Sequence, residues 1–166
     1  MAAVVACLSG CVAPAVPTAP AASVRSAVPG KLGGYDPARN GSADVEAALD
    51  AGLKDGHNVL TLFGSNDNAD CRALALLSGD PAVAPLVADY HVVTVDVGDP
   101  GPNLRSNRAI TSRMFLDLGT SGVPAVIVTK PTDNTAENLF SSSDGSFAHA
   151  RSMTAAELAA FLTKWR

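Results

Sequence analysis

The sequence predicts an α/β domain, and three observations carry that expectation. Short apolar runs rich in β-branched residues recur at 58–64, 90–98 and 123–129. Between them lie stretches with apolar residues at helical spacing, bounded by capping residues and glycines. Apolar residues make up 47% of a 166-residue chain, which suits one buried core in a single domain.

The first helix is expected in "SADVEAALDAGLKDG". Ser42 is its N-cap candidate, Glu46 lies near the capping-box position, and Gly56 ends the run. Val45, Ala48, Leu49 and Leu53 follow helical spacing. "NVLTLFG" is the first strand, closed by Gly64. A second helix opens near Asn68–Asp70 and carries Arg72, Leu74 and Leu77. Asp80 and Pro81 start a further helical turn, since proline suits the first helical position. "YHVVTVDVG" is the second strand, and "NLRSNRAITSRMFLDLG" is a helix ending at Gly119. "VPAVIVT" gives the third strand, starting directly after Val123-Pro124. Residues 131 to 146 are polar turn material, with hairpin strands placed around Leu139–Phe140 and Phe147–Ala148. "TAAELAAFLTKWR" closes the chain as an amphipathic helix, with Thr154 and Glu157 as a capping box. Strands alternating with helices predict parallel pairing in a layered structure.

A net charge of −4 and a pI near 5.2 argue against a nucleic-acid surface, which needs a basic stripe. No apolar run is long enough for an ordinary membrane-spanning helix. The opening "MAAVVACLSGCVAPAV" instead has an apolar stretch ending in small residues, the pattern of an export signal. Its "LSGC", Leu8 to Cys11, resembles a bacterial lipobox, which implies signal removal after residue 10 and lipidation of Cys11. Acyl groups there would tie the chain to a membrane face. No Lys or Arg precedes the apolar run, which fits a true start upstream of Met1. Residues 11–34, rich in proline, alanine and glycine, are expected to be a flexible tether, and 35–166 the folded domain.

Three cysteines, two of them near the start, do not make a disulfide framework. Cys71 stands alone in "FGSNDNADCRAL", at the expected start of the second helix. His57, His91 and His149 are scattered, so neither a metal site nor a cofactor is expected.

The span 35–166 resembles the thioredoxin-like proteins, particularly exported bacterial members with a leading "YDP" and an "FGxNWCPDCRAL" stretch. Tyr35-Asp36-Pro37 matches the leader, and Phe63-Gly64-Ser65-Asn66 with Asp70-Cys71-Arg72-Ala73-Leu74 matches both flanks of the motif. Gly122-Val123-Pro124-Ala125 matches the loop whose proline is cis. The resemblance implies a central mixed β-sheet flanked by helices on both faces. It also implies a Cys-x-x-Cys site, whose first thiolate attacks a substrate disulfide and whose second cysteine resolves the mixed disulfide.

This chain departs from that pattern. Asn68 stands at the attacking position, with Asp67 and Ala69 at the Trp and Pro positions, and only the resolving Cys71 remains. Leu62 replaces the buried proton-accepting carboxylate of many thioredoxins. The expected function is a lipid-anchored extracytoplasmic domain without dithiol exchange, facing the periplasm or cell exterior. It would bind an extracytoplasmic protein or peptide in a groove formed by Asp67, Ala69, Val123 and Pro124. The alternative is thiol–disulfide or monothiol redox chemistry through Cys71.

Overall fold

The computed structural model describes residues 31–98, 102–133 and 136–166. The expected signal sequence, Cys11 and most of the expected tether lie outside the described residues. The elements run α1 (Gly41–Asp55), β1 (Asn58–Gly64), α2 (Ala69–Leu77), α3 (Ala84–Val87), β2 (Tyr90–Asp96), α4 (Leu104–Arg113), α5 (Leu118–Ser121), β3 (Ala125–Pro131), β4 (Ala136–Ser141), a 3-10 turn (Ala150–Ser152) and α6 (Ala155–Trp165).

The four strands form one sheet in the order β2-β1-β3-β4. β1 and β2 are parallel, whereas β3 runs antiparallel to β1 and β4 antiparallel to β3. The sheet is therefore mixed. Alternation along β1 explains its two-sided burial, because successive side chains point to opposite faces. Leu60 and Leu62 join Leu74, Val87, Leu158 and Leu162 in one core, under α2, α3 and α6. Val59 and Phe63 join Val45, Val95, Ile110 and Ile127 in the other, under α1 and α4. Helices cover both faces.

Local chemistry sets the ends. Asn40, rather than Ser42, caps α1: its side chain accepts the amides of Ser42 and Ala43. Gly56 ends that helix at φ 82°, a left-handed conformation that glycine adopts without Cβ strain. Thr154 and Glu157 form the reciprocal capping box at the start of α6.

Three further expectations need correction. The helix expected over 103–119 breaks between α4 and α5: Phe115 turns the chain at φ 57°, which sends Leu116 into the core at 3% exposure. The hairpin is formed by β3 and β4, and no strand forms at Phe147–Ala148. Phe147 instead packs edge-on against Phe140 and Phe161, with ring centroids 6.1 and 4.9 Å away. Its ring is worth more in the core than its backbone in a ladder. Finally, the packed chain begins earlier than Tyr35. Leu32 is 1% exposed in the core, and its amide donates to Ser78 Oγ at 3.2 Å.

Candidate functional site

The expected site lies where β1 ends and α2 begins. Asn68 has an extended backbone and serves as the N-cap of α2. Its Oδ1 accepts the amides of Asp70 at 2.9 Å and Cys71 at 3.0 Å. The free amides that give a helix N-terminus its pull on an anion are thus partly satisfied by a neutral side chain. Asp67 is exposed, and Arg72 Nη1 donates to the backbone carbonyls of Asn66 and Asp67 at 3.0 and 2.7 Å. This guanidinium clamp fixes the loop ahead of the helix.

Cys71 is 1% exposed and belongs to the core that contains Leu62 and Leu74. Burial raises the pKa of its thiol above the ordinary 9.0, and the Asp70 charge adds to the rise. Contacts with the Ser65 backbone and the Tyr35 hydroxyl pull the other way without reversing it. The thiol is therefore neutral at physiological pH, and solvent does not reach it.

Tyr35, which the sequence offered only as part of a leader, proves to be the lid of this thiol. Asn66 holds its backbone from both sides, accepting from Tyr35 N at 3.1 Å and donating to Tyr35 O at 2.6 Å. The Tyr35 ring is 3% exposed, and among the described residues its hydroxyl has no nitrogen or oxygen partner. Its polar neighbour is the Cys71 thiol. Gly64 leaves room for both groups: a Cβ there would stand 2.5 Å from Cys71 Sγ and 2.7 Å from the Tyr35 hydroxyl. Burial, with Cys71 and Asp96 nearby, holds the phenol well above its usual pKa.

Leu62 is fully buried among apolar side chains, so its strand position supplies no acid or base. A buried carboxylate comes instead from the neighbouring strand, where Asp96 pairs with Gly64. Asp96 is 8% exposed; burial raises its pKa, opposed by the Gly98 amide and supported by the Asp67 and Asp36 charges. Hydrophobicity patterning hid this residue inside an apolar run. On the other side of Cys71, Asp70 Oδ1 accepts the Arg151 amide at 2.9 Å and Arg151 Nε at 3.2 Å. This contact ties α2 to the 3-10 turn.

The Val123–Pro124 peptide bond is cis, and Pro124 is buried. Ala125, the next residue, pairs with Phe63, which brings the loop beside the end of β1. There a groove of about 800 Å³ opens, lined among others by Gly64, Ser65, Val123, Arg108, Phe115 and Leu118. Val123 thus lies in the wall of a groove. Asp67, Ala69 and Pro124 do not line it; the cavity runs from Ser65 toward α4 and α5 instead. Phe115 stands on its rim at 89% exposure.

No protein-family model and no curated protein matches the chain. Among solved structures, the chain is similar to a disulphide isomerase from Xylella fastidiosa Temecula1, at 29% identity and a TM-score of 0.65. That likeness covers 80% of this chain and 95% of the other. A thioredoxin from Thermus thermophilus aligns at 19% identity and a TM-score of 0.49, over 73% of this chain and 80% of its own. Together with the mixed sheet and the helix that opens at Asn68, the first of these likenesses identifies the fold as thioredoxin-like.

Proposed function

We propose that this protein is a thioredoxin-like binding module that holds an extended segment of an extracytoplasmic protein or peptide without dithiol exchange. The observation that carries the reading is the Asn68 cap, whose side chain accepts the amides of Asp70 and Cys71. An amide side chain cannot form a mixed disulfide, and the thiol three residues on is buried and neutral. The open groove beside Val123 and Ser65, rimmed by an exposed aromatic ring, supplies a surface for an extended partner. Lipid on Cys11 would hold this module at a membrane, facing the periplasm or cell exterior.

The similarity to a protein described as a disulphide isomerase favours a second reading, redox exchange through Cys71. Insulin reduction by dithiothreitol separates the two. The binding module leaves the rate at background; turnover that disappears in Cys71→Ser would establish the redox reading instead. The anchor is tested by radiolabelled palmitate in cells. The wild type should be labelled and Cys11→Ser should not, and equal labelling of both would reject lipidation at Cys11.

A further inference from the structure

Three ligand-bearing side chains converge at the opposite end of β1, roughly 20 Å from the groove end by strand length. Asp55 closes α1, His57 precedes β1, and His91 is the second residue of β2, paired with Val59. In sequence they are scattered; the parallel pairing of β1 with β2 assembles them. One ligand atom from each lies within 4.8 Å of the other two. His91 Nε2 sits 2.8 and 3.1 Å from the two Asp55 carboxylate oxygens, and the imidazole rings are 5.9 Å apart.

We propose that Asp55, His57 and His91 form a binding site for a divalent transition-metal ion of the zinc or copper kind. Two imidazoles and one carboxylate suit these borderline ions better than the hard cations calcium and magnesium, which prefer all-oxygen sets. A tetrahedral zinc with bonds of about 2.0–2.2 Å spaces its ligand atoms about 3.4 Å apart. The three ligand atoms, each within 4.8 Å of the others, need to draw together by at most about 1.4 Å to reach that spacing.

The backbone is itself fixed. Asp55 Oδ1 accepts the His57 amide at 3.1 Å, and Gly56 takes the left-handed turn between them at φ 82°. A Cβ on Gly52 would stand 2.4 Å from the His57 carbonyl, so the last turn of α1 lies directly against the His57 backbone. Asp55 and His57 are exposed and His91 is partly buried, which leaves the remaining coordination positions open to water. When the ion binds, it replaces the His91–Asp55 contact. Nε2 of His91 then carries the metal and its proton resides on Nδ1 or leaves to solvent.

The test is zinc titration of the full chain by calorimetry, with copper binding followed by electron paramagnetic resonance. One equivalent of zinc should bind, with affinity falling at least tenfold in His57→Ala and in His91→Ala. Bound copper should show coupling to two imidazole nitrogens in the wild type and to one in either variant. The metal-free thermal midpoint of His57→Ala should match the wild type, since that side chain is exposed, and His91→Ala, which gives up its Asp55 contact, should remain folded with a slightly lower one. Absence of saturable binding would overturn the proposal. So would a zinc affinity unchanged in both histidine variants, which would place the ion elsewhere in the chain.

Discussion

Asn68 Oδ1 accepts the backbone amide of Cys71 at 3.0 Å, so an asparagine caps the helix whose first turn holds the buried thiol. A thiolate at position 68 would draw on those amides for charge stabilisation, whereas the asparagine uses them for helix stability. Below the cap, Tyr35 and Gly64 enclose the remaining sulfur. On the reading proposed above, this end of the sheet would keep the surroundings of a redox site without its attacking thiol.

The cap can be tested by two substitutions. Asn68→Ala should cost about 1 kcal/mol in urea denaturation, the usual loss when a capping side chain is removed. Asn68→Ser, which keeps an acceptor, should restore most of it. Asn68→Cys should form an intrachain disulfide with Cys71 on mild oxidation, read as loss of both free thiols by mass spectrometry. A variant that keeps both thiols free after oxidation would show that the helix end does not have redox geometry.

Most of this fold was legible in sequence because its elements carry their own punctuation. β1 was bounded by Asn58 and Gly64, and α6 by the Thr154–Glu157 box, and the structure places them there. Elsewhere burial overrides local pattern. Phe115 breaks a periodic helix so that Leu116 can reach the core, and Phe147 leaves a strand for an aromatic cluster. At the site, the family resemblance singled out Asn68 and Cys71, which the structure sets as the cap and a buried first-turn residue of α2. Tyr35, Asp96 and the His57–His91 pair were not, since each owes its place to a contact distant in sequence.

Alkaline pH should destabilise the protein through the enclosed sulfur and phenol. Both have folded-state pKa values raised above their ordinary 9.0 and 10.0, mainly by burial. The unfolded chain therefore releases these protons first, and the stability they confer is complete below about pH 9 and lost above it. Urea midpoints should fall from about pH 9 upward. Cys71→Ala should flatten the lower part of that decline and Tyr35→Phe the upper part. A decline unchanged in both variants would locate the titrating groups elsewhere.

Asp96 should work against the fold at neutral pH. Its carboxyl is raised by burial and by the Asp67 and Asp36 charges, so the folded chain prefers the protonated form. The resulting stability is present below the ordinary value of 3.8 and is lost as pH rises through the folded value. Asp96→Asn keeps an oxygen to accept the Gly98 amide, now at 2.9 Å, and removes the charge. Its thermal midpoint should exceed the wild type at pH 7, and the advantage should shrink to nothing in acid below about pH 3.8. A lower midpoint at pH 7 would mean that the carboxylate makes a favourable contact instead.

Phe115 offers the sharpest separation of binding from stability. It is 89% exposed on the groove rim, in a left-handed conformation at φ 57°. A large side chain held there without core packing costs backbone energy and returns no buried area. Phe115→Gly relieves the backbone and loses only the exposed ring. Stability should stay level or rise by up to about 1 kcal/mol, because glycine's greater freedom in the unfolded chain offsets part of the relief. If the groove holds a peptide, the ring is its natural anchor, and exposed aromatics at such surfaces contribute more than about 1 kcal/mol to binding. Peptides selected on the wild type from a displayed library should then bind Phe115→Gly at least fivefold more weakly. Equal affinity for both proteins would move the partner surface away from α4 and α5.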